Sequence, residues 1–277
     1  MPKIRLDQLL VGRGLARSRA EAQALLLAGR VEMSGRGSRI LKPGQMVDPG
    51  VAVAVVAGPR WASRGGEKLE AALDAFEIAV AGRACLDSGA STGGFTDVLL
   101  ARGARIVYAV DVGRGQLIDR LRRDPRVVNM ERTNLRSLEA LPEPVQLATL
   151  DLSFIGLRPV LPAVRHLLTE DGEVVALIKP QFEAGRGVVP RGGVLHDPAI
   201  HREVLLRFGA DLPGAGFRPI SLLQSPISGT DGNVEFLAHL AAGAAFRPAA
   251  GPAAAAERQR DESRWIDAVD ALTPIAR

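Results

Sequence analysis

The stretch Leu86-Asp87-Ser88-Gly89-Ala90-Ser91-Thr92-Gly93-Gly94-Phe95 decides how this chain folds. Ala84-Cys85-Leu86, at its start, is short and apolar and reads as a buried strand; Thr96-Asp97-Val98-Leu99-Leu100-Ala101-Arg102, after it, reads as a helix. A strand, a glycine-rich turn and a helix let the backbone approach a ligand, while the free N–H groups of the helix N-terminus point at it. The spacing is not G-x-G-x-x-G, so a pyrophosphate is not the natural guest, and Asp87 at the strand tip suits a cationic or amine-bearing ligand instead. A second strand, Ile106-Val107-Tyr108-Ala109-Val110-Asp111, also ends in a carboxylate, which can take two ribose hydroxyls. The glycine turn alone fits any α/β domain with a tight turn; the second acidic strand end points to a nucleoside.

This pairing resembles motifs I and II of S-adenosylmethionine-dependent methyltransferases. The resemblance implies cofactor contacts from Asp87, Ser88, Gly89, Ala90, Ser91, Gly93, Gly94 and Phe95 at the turn and from Asp111 and Val112 at the second strand end. Asn134, at the polar tip Glu131-Arg132-Thr133-Asn134, is expected either to meet an adenine edge or to cap a loop.

Strands and helices alternate around this point. Helices are expected over Glu67–Phe76, Gly115–Arg122, Val160–Leu168 and from Pro198 through Ala210. Strands are expected over Val127–Met130, Leu147–Leu152, Glu173–Lys179, Phe217–Leu223 and Val234–Leu240. The fold class is therefore α/β, a mainly parallel, Rossmann-like sheet with helices on both faces. Ligands of such sheets bind at the carboxyl ends of the strands, where strand order reverses. Asp87, Asp111, Asp151 and Lys179 all fall at strand ends.

The length, 277 residues, allows one large or two ordinary domains, and 47% apolar residues supply a packed core. The single cysteine, Cys85, excludes an internal disulfide framework and fits a reducing cytoplasm. Met1-Pro2-Lys3-Ile4-Arg5 leads into a charged segment rather than an apolar signal core. No run approaches the roughly 20 apolar residues of a membrane span. Charge is uneven: residues 1–60 carry ten Lys and Arg against four Asp and Glu, a net of +6, and the remainder 25 against 27, a net of −2. A basic excess in the first fifth suggests that this part meets a polyanion.

Leu6, Leu9 and Leu10 lie on one face of a short helix, and Ser18 with Glu21 forms a capping box for a second helix over about Arg19–Ala28, stopping at Gly29. Val31-Glu32-Met33 and Val51–Val56 read as strands, with turn residues over Ser34–Ser38. Through Arg5-Leu6-Asp7, Leu15-Ala16-Arg17-Ser18-Arg19, Ala22 and Gly29-Arg30-Val31, the segment 3–57 resembles an S4-type RNA-binding domain. The resemblance implies phosphate contacts from Arg5, Arg17, Arg19 and Lys42, and Arg64 beyond it joins this set. Such contacts give affinity and orientation rather than sequence choice.

The expected organisation is an S4-like domain over 1–58, a Pro- and Gly-punctuated linker over 59–66, the methyltransferase domain over 67–241 and an Ala/Pro-rich tail over 242–277. Trp61 is expected to pack between the domains. Residues 241–257 read as flexible, with a short helix over Trp265–Leu272.

Lys68, Asp151, Lys179 and Glu235 carry the candidate chemistry. A lysine starts near a pKa of ~10.4, and a neighbouring ammonium and burial both favour its neutral form, which can take a proton from a sugar hydroxyl. Each residue alone is more often a structural ion pair, so the pattern by itself leaves the tetrad an open possibility. Taken together, Ser63-Arg64-Gly65-Gly66-Glu67-Lys68-Leu69, the glycine turn, Asp151-Leu152-Ser153-Phe154-Ile155, Lys179-Pro180-Gln181-Phe182-Glu183 and Gly232-Asn233-Val234-Glu235 resemble the TlyA (haemolysin A-like) family over about residues 3–240. That resemblance implies 2′-O-methylation of ribosomal RNA, commonly at cytidine, in the cytoplasm. It makes Lys68, Asp151, Lys179 and Glu235 a catalytic tetrad of the FtsJ/RrmJ type. Methyl transfer from a sulfonium needs no metal, and none is expected. Two other readings stand beside it: a non-catalytic RNA-binding assembly factor that keeps the cofactor fold, and a lytic protein, the sense of the haemolysin name.

Overall fold

The chain divides into two units, Met1–Arg60 and Trp61–Arg277, in a computed structural model that describes residues 2–27, 30–34, 41–56, 60–185, 187–229, 231–243 and 252–274. Unit 1 comprises β1 (Ile4–Arg5), α1 (Leu6–Gly12), α2 (Arg19–Leu27), β2 (Val31–Met33), β3 (Met46–Val47) and β4 (Val53–Val55). β1 pairs antiparallel with β3, and β2 with β4. Leu6, Leu9 and Leu10 bury the inner face of α1 against Ala22 and Leu26 of α2 and Val31 and Val47 of the strands. At the start of α2, Ser18 Oγ accepts the Glu21 N–H, while the Glu21 carboxylate reaches back to the Arg17 N–H at 2.7 Å, one residue earlier than a capping box requires. Asp7 is buried in α1 and accepts hydrogen bonds from Arg5, Arg19 and Gln23. The helix stop expected at Gly29 and most of the turn over 34–38 lie outside the described residues.

Unit 2 runs α3 (Gly65–Ala75), β5 (Ala84–Ser88), α4 (Gly94–Ala101), β6 (Ile106–Asp111), α5 (Asp119–Arg122), β7 (Val127–Glu131), β8 (Val145–Leu150), α6 (Leu161–Leu167), β9 (Leu168–Ile178), α7 (Pro180–Glu183), α8 (Pro198–Asp211), β10 (Phe217–Gln224), β11 (Phe236–Ala242) and α9 (Pro252–Leu272). Its seven strands form one sheet in the order β10-β11-β9-β8-β5-β6-β7. The five strands from β9 to β7 are parallel to one another, and β11 is antiparallel to both of its neighbours, β9 and β10. Strand order grows from β5 through β6 to β7 and then reverses to β8 and β9, so the crevice between β5 and β8 is the switch point where this topology binds ligands. One sheet face buries Leu86, Val110, Leu150 and Ala176 under residues of α6, α8 and α9; the other buries Cys85, Val107, Leu177 and Leu237 under α3 and α4. Burial pushes the Cys85 thiol up to about 12, which leaves it inert at neutral pH.

Two expectations change. The helix expected over Gly115–Arg122 shrinks to the single turn of α5, because Gly115 adopts φ +67° and Ile118 is extended, so the helix starts only at Asp119. Within unit 2, the Trp61 ring packs with Leu69 and Phe95 and against Gly66, where a Cβ would collide with it, and its indole N–H donates to Glu70. The stretch read as a tail contains α9, a helix of 21 residues opening at Pro252. Trp265 and Val269 are buried in the core, and the Trp265 indole N–H donates to the Leu205 carbonyl at 2.9 Å. An alanine run after a proline at the first helical position is a strong helix start, and that propensity outweighs the low complexity of the composition.

Candidate active site

Four side chains converge at the carboxyl edge of the sheet because of where their strands end. Asp151 follows the last residue of β8 and Lys179 the last residue of β9. β11 is antiparallel, so its beginning reaches this edge: Ile178 pairs with Phe236, and the next residues outward are Lys179 and Glu235. Lys68 comes from the first turns of α3. The result is two ion pairs, Lys179 with Asp151 at 2.7 Å and Lys68 with Glu235. Lys68, Lys179 and Glu235 are buried; Asp151 is partly open. The Lys179 ammonium also donates to Ser153 Oγ at 3.1 Å and lies 5.9 Å from the Phe182 ring centre.

These groups line a cleft of about 450 Å³ with Ser63, Arg64, Ser153, Ser228 and the glycine turn. Gly89 has φ +84°, and a Cβ there would run into the Asp151 carbonyl, so only glycine lets β5 and β8 close at this point. At Gly94, where α4 begins, a Cβ would strike Ser63 Oγ; the missing side chain lets the starts of α3 and α4 meet beside the cleft. Ser91 holds a left-handed φ of +46°, a strained turn position of the sort found at ligand sites.

Gly89, Ala90, Ser91, Gly94 and Phe95 line the cleft, as expected for the turn; Gly93 instead faces Leu117 and Leu121. Asp87 does not line it. The Asp87 carboxylate is fully buried, accepts the Thr96 hydroxyl at 2.6 Å and lies 3.4 Å from the Thr149 hydroxyl, which ties β5 to α4 and β8 rather than facing a cationic ligand. Burial pushes it up to about 7. Ser88 is likewise buried. Asp111 does not line the cleft but bonds to its wall: Oδ2 accepts the N–H of the lining residue Ser91 at 2.8 Å, and Oδ1 the Gly113 N–H at 2.6 Å. Val112 is exposed just beyond it. Of the two uses considered for Asn134, the structure shows the cap: its Oδ1 accepts the Arg136 N–H at 3.0 Å and starts a short 3-10 turn.

In unit 1, Arg5 and Arg19 grip Asp7, whereas Arg17 is 93% exposed beside Glu21 and Lys42 is exposed. Arg64 is exposed at the cleft of unit 2, and its guanidinium donates to the Ser228 carbonyl. Ser153, Ser63 and Ser228 carry no expectation from the sequence, although Ser153 lies only two residues past Asp151; serine at a strand end is too common to signal a site.

The cleft fits an S-adenosyl nucleoside: its volume lies in the range of small-molecule sites, it opens at the switch point, and backbone replaces side chains along the turn. Two buried lysines, each held by a carboxylate, sit in the cleft, and a lysine in its neutral amine form can orient a sugar hydroxyl and take its proton. This is the site of a Rossmann-like group-transfer enzyme. Residues 61–242 match the model of the FtsJ-like methyltransferase family, and the chain belongs to that family. It is an S-adenosylmethionine-dependent methyltransferase. The chain is 49% identical over 238 residues, 84% of its length and 88% of the relative's, to the 16S/23S rRNA (cytidine-2′-O)-methyltransferase TlyA of Mycobacterium tuberculosis. It is 39% identical over 242 residues, 85% of its length and 99% of the relative's, to hemolysin A of Brachyspira hyodysenteriae. A solved structure from Streptococcus thermophilus, bearing a provisional hemolysin name, superposes with a TM-score of 0.68 at 41% identity, covering 95% of this chain and 98% of that one.

Proposed function

We propose that the chain methylates ribose 2′-hydroxyls of ribosomal RNA, at cytidine, in the cytoplasm. The observation that carries the reading is the meeting of the Lys179–Asp151 and Lys68–Glu235 pairs beside the glycine turn in one cleft. The bound cofactor supplies a methyl group on a sulfonium. The Gly89–Gly94 turn holds its amino-acid end and Asp111 its ribose. Lys179, in its neutral amine form, takes the proton of the attacking 2′-hydroxyl, Asp151 orients it and holds the ammonium that results, and Glu235 holds Lys68, the second cation of the cleft. Unit 1 supplies affinity as an S4-type module, with Arg17 and Lys42 the exposed cations that meet phosphates and Arg64 a further one at the cleft. The names of the relatives support the rRNA substrate.

The test is incubation of ribosomal subunits with the protein and methyl-labelled cofactor, then mass mapping of the RNA. Label in the ribose of cytidines is the expected result. Cofactor and subunit binding without transfer would leave a non-catalytic assembly factor. The hemolysin name of a relative sets one control, liposome leakage, expected to be absent; among the described residues no helix is long and apolar enough to cross a membrane.

A further inference from the structure

We propose that Glu183 is a positioning residue for this reaction: it clamps the far end of the loop over 151–157 and so fixes where Ser153 and Asp151 meet Lys179. The inference rests on the reading of Lys179 as the proton acceptor.

Lys179 and Glu183 flank the single turn of α7, Lys179 just before it and Glu183 at its end. The two side chains hold one loop at two places. At its start, Lys179 bonds Asp151 and Ser153. At its end, Glu183 Oε1 accepts the Leu157 N–H at 2.5 Å, and the Leu157 carbonyl in turn accepts the N–H groups of Val160 and Leu161 that open α6. Between the two points the loop turns through Phe154, which is 92% exposed, sits in the left-handed region at φ +65°, and meets Phe182 of α7 with ring centres 5.6 Å apart. A bulky residue at positive φ persists only where its surroundings hold it. The Glu183 carboxylate is buried, and burial pushes its pKa up. Burying a carboxylate is costly, and an apolar side chain would fill the space more readily; the hydrogen bond that uses the carboxylate goes to the loop amide, with the charges of Arg158 and Arg207 acting on it as well. Gly156 leaves just enough room, since a Cβ there would lie 2.8 Å from Glu183 Oε2.

Four variants of the full chain test this, read by single-turnover methyl transfer, by cofactor Kd and by hydrogen exchange at the Leu157 amide. Glu183→Ala should speed exchange at Leu157 and slow transfer by up to about 10²-fold, the scale of a displaced catalytic group, with cofactor Kd unchanged. Glu183→Gln keeps an oxygen acceptor and should recover both exchange protection and most of the rate. Gly156→Ala removes no buried group but wedges the loop off the carboxylate, so it should slow transfer with the fold intact, and it carries the test if Glu183→Ala does not fold. In Glu183→Ala/Gly156→Ala the wedge has nothing to strike, so the double variant should be no slower than Glu183→Ala. Folded Glu183→Ala or Gly156→Ala with the wild-type rate overturns the proposal, whatever the exchange shows, and so does Glu183→Gln as slow as Glu183→Ala. A wild-type chain that transfers no methyl to RNA overturns the substrate reading instead, and exchange at Leu157 then still decides the clamp.

Discussion

Lys68 and Glu235 are 167 residues apart in sequence and form an ion pair in which the lysine side chain keeps 10% of its exposure and the glutamate 4%. Their pairing joins the first helix of unit 2 to the start of its last strand. Removing one partner strands the other as a buried charge. Glu235→Ala should therefore destabilise unit 2 by about 3–5 kcal/mol, whereas Lys68→Met with Glu235→Leu should restore most of that stability while remaining inactive. Urea unfolding of the three proteins, followed by a transfer assay, checks both halves.

Lys179→Ala should keep cofactor and RNA binding while methyl transfer falls roughly 10²–10⁴-fold, the usual contribution of a general base. Lys179→Arg should not recover it, because a guanidinium does not give up its proton at any working pH. A near-normal single-turnover rate in folded Lys179→Ala would return the Lys179–Asp151 pair to a structural role.

Asp111 spends one lone pair of each oxygen on the amides of Ser91 and Gly113, which leaves acceptor capacity for ribose hydroxyls. Losing charge-assisted bonds of about 1.5–3 kcal/mol predicts at least tenfold weaker cofactor binding in Asp111→Ala. Calorimetry on the folded variant measures it directly; unchanged affinity removes Asp111 from the site.

The basic residues of unit 1 separate by role. Arg17→Ala with Lys42→Ala should weaken binding to ribosomal RNA and flatten its salt dependence without touching cofactor affinity. Arg5→Ala should instead lower the stability of unit 1, since Arg5 makes two hydrogen bonds to buried Asp7 and holds its carboxyl well below the usual range. Salt titrations of binding and thermal melts of each variant distinguish the two effects.

Glu173 is hydrogen-bonded to the ring of His239 and to Arg83, and these partners hold it at about 2 instead of 4.5. A carboxyl with a depressed folded-state pKa stabilises above its unfolded value and loses that contribution as pH falls. For Glu173 this is about 3 kcal/mol, present above pH ~4.5 and lost on descending to about 2. Glu173→Gln should be less stable at pH 7 and should show a shallower loss across that window, measured by denaturant midpoints at a series of pH values.

Asp151 and Lys179 were legible because each ends an apolar strand of a parallel sheet, where ligand-facing residues fall. Lys68 and Glu235 have no such local signature; only the resemblance decides for a site over a structural ion pair, and only the antiparallel course of β11 explains why a residue before a strand joins residues that follow strands. Asp87 misled for a related reason: it sits at a strand tip, but its side chain turns toward Thr96 of α4, a contact that no spacing reveals. Ser153 and Glu183 have no local signature, because each is bonded to a partner 26 residues away in sequence. The alanine-rich C-terminal stretch was misjudged because composition was read in place of helix propensity.

The place of β11, between β9 and the edge strand β10, orders events as the chain is made. β10 pairs with no strand of the sheet but β11, and β11 carries Glu235 at its threshold. While the chain is still emerging, β5 to β9 can assemble and bring Asp151 beside Lys179, but Lys68 has no carboxylate to meet. The hairpin of β10 and β11 must dock before the second pair exists. On the proposed reading of the two ion pairs, catalytic competence arrives with the last strand, and a nascent chain halted before residue 235 carries the cleft without its second pair.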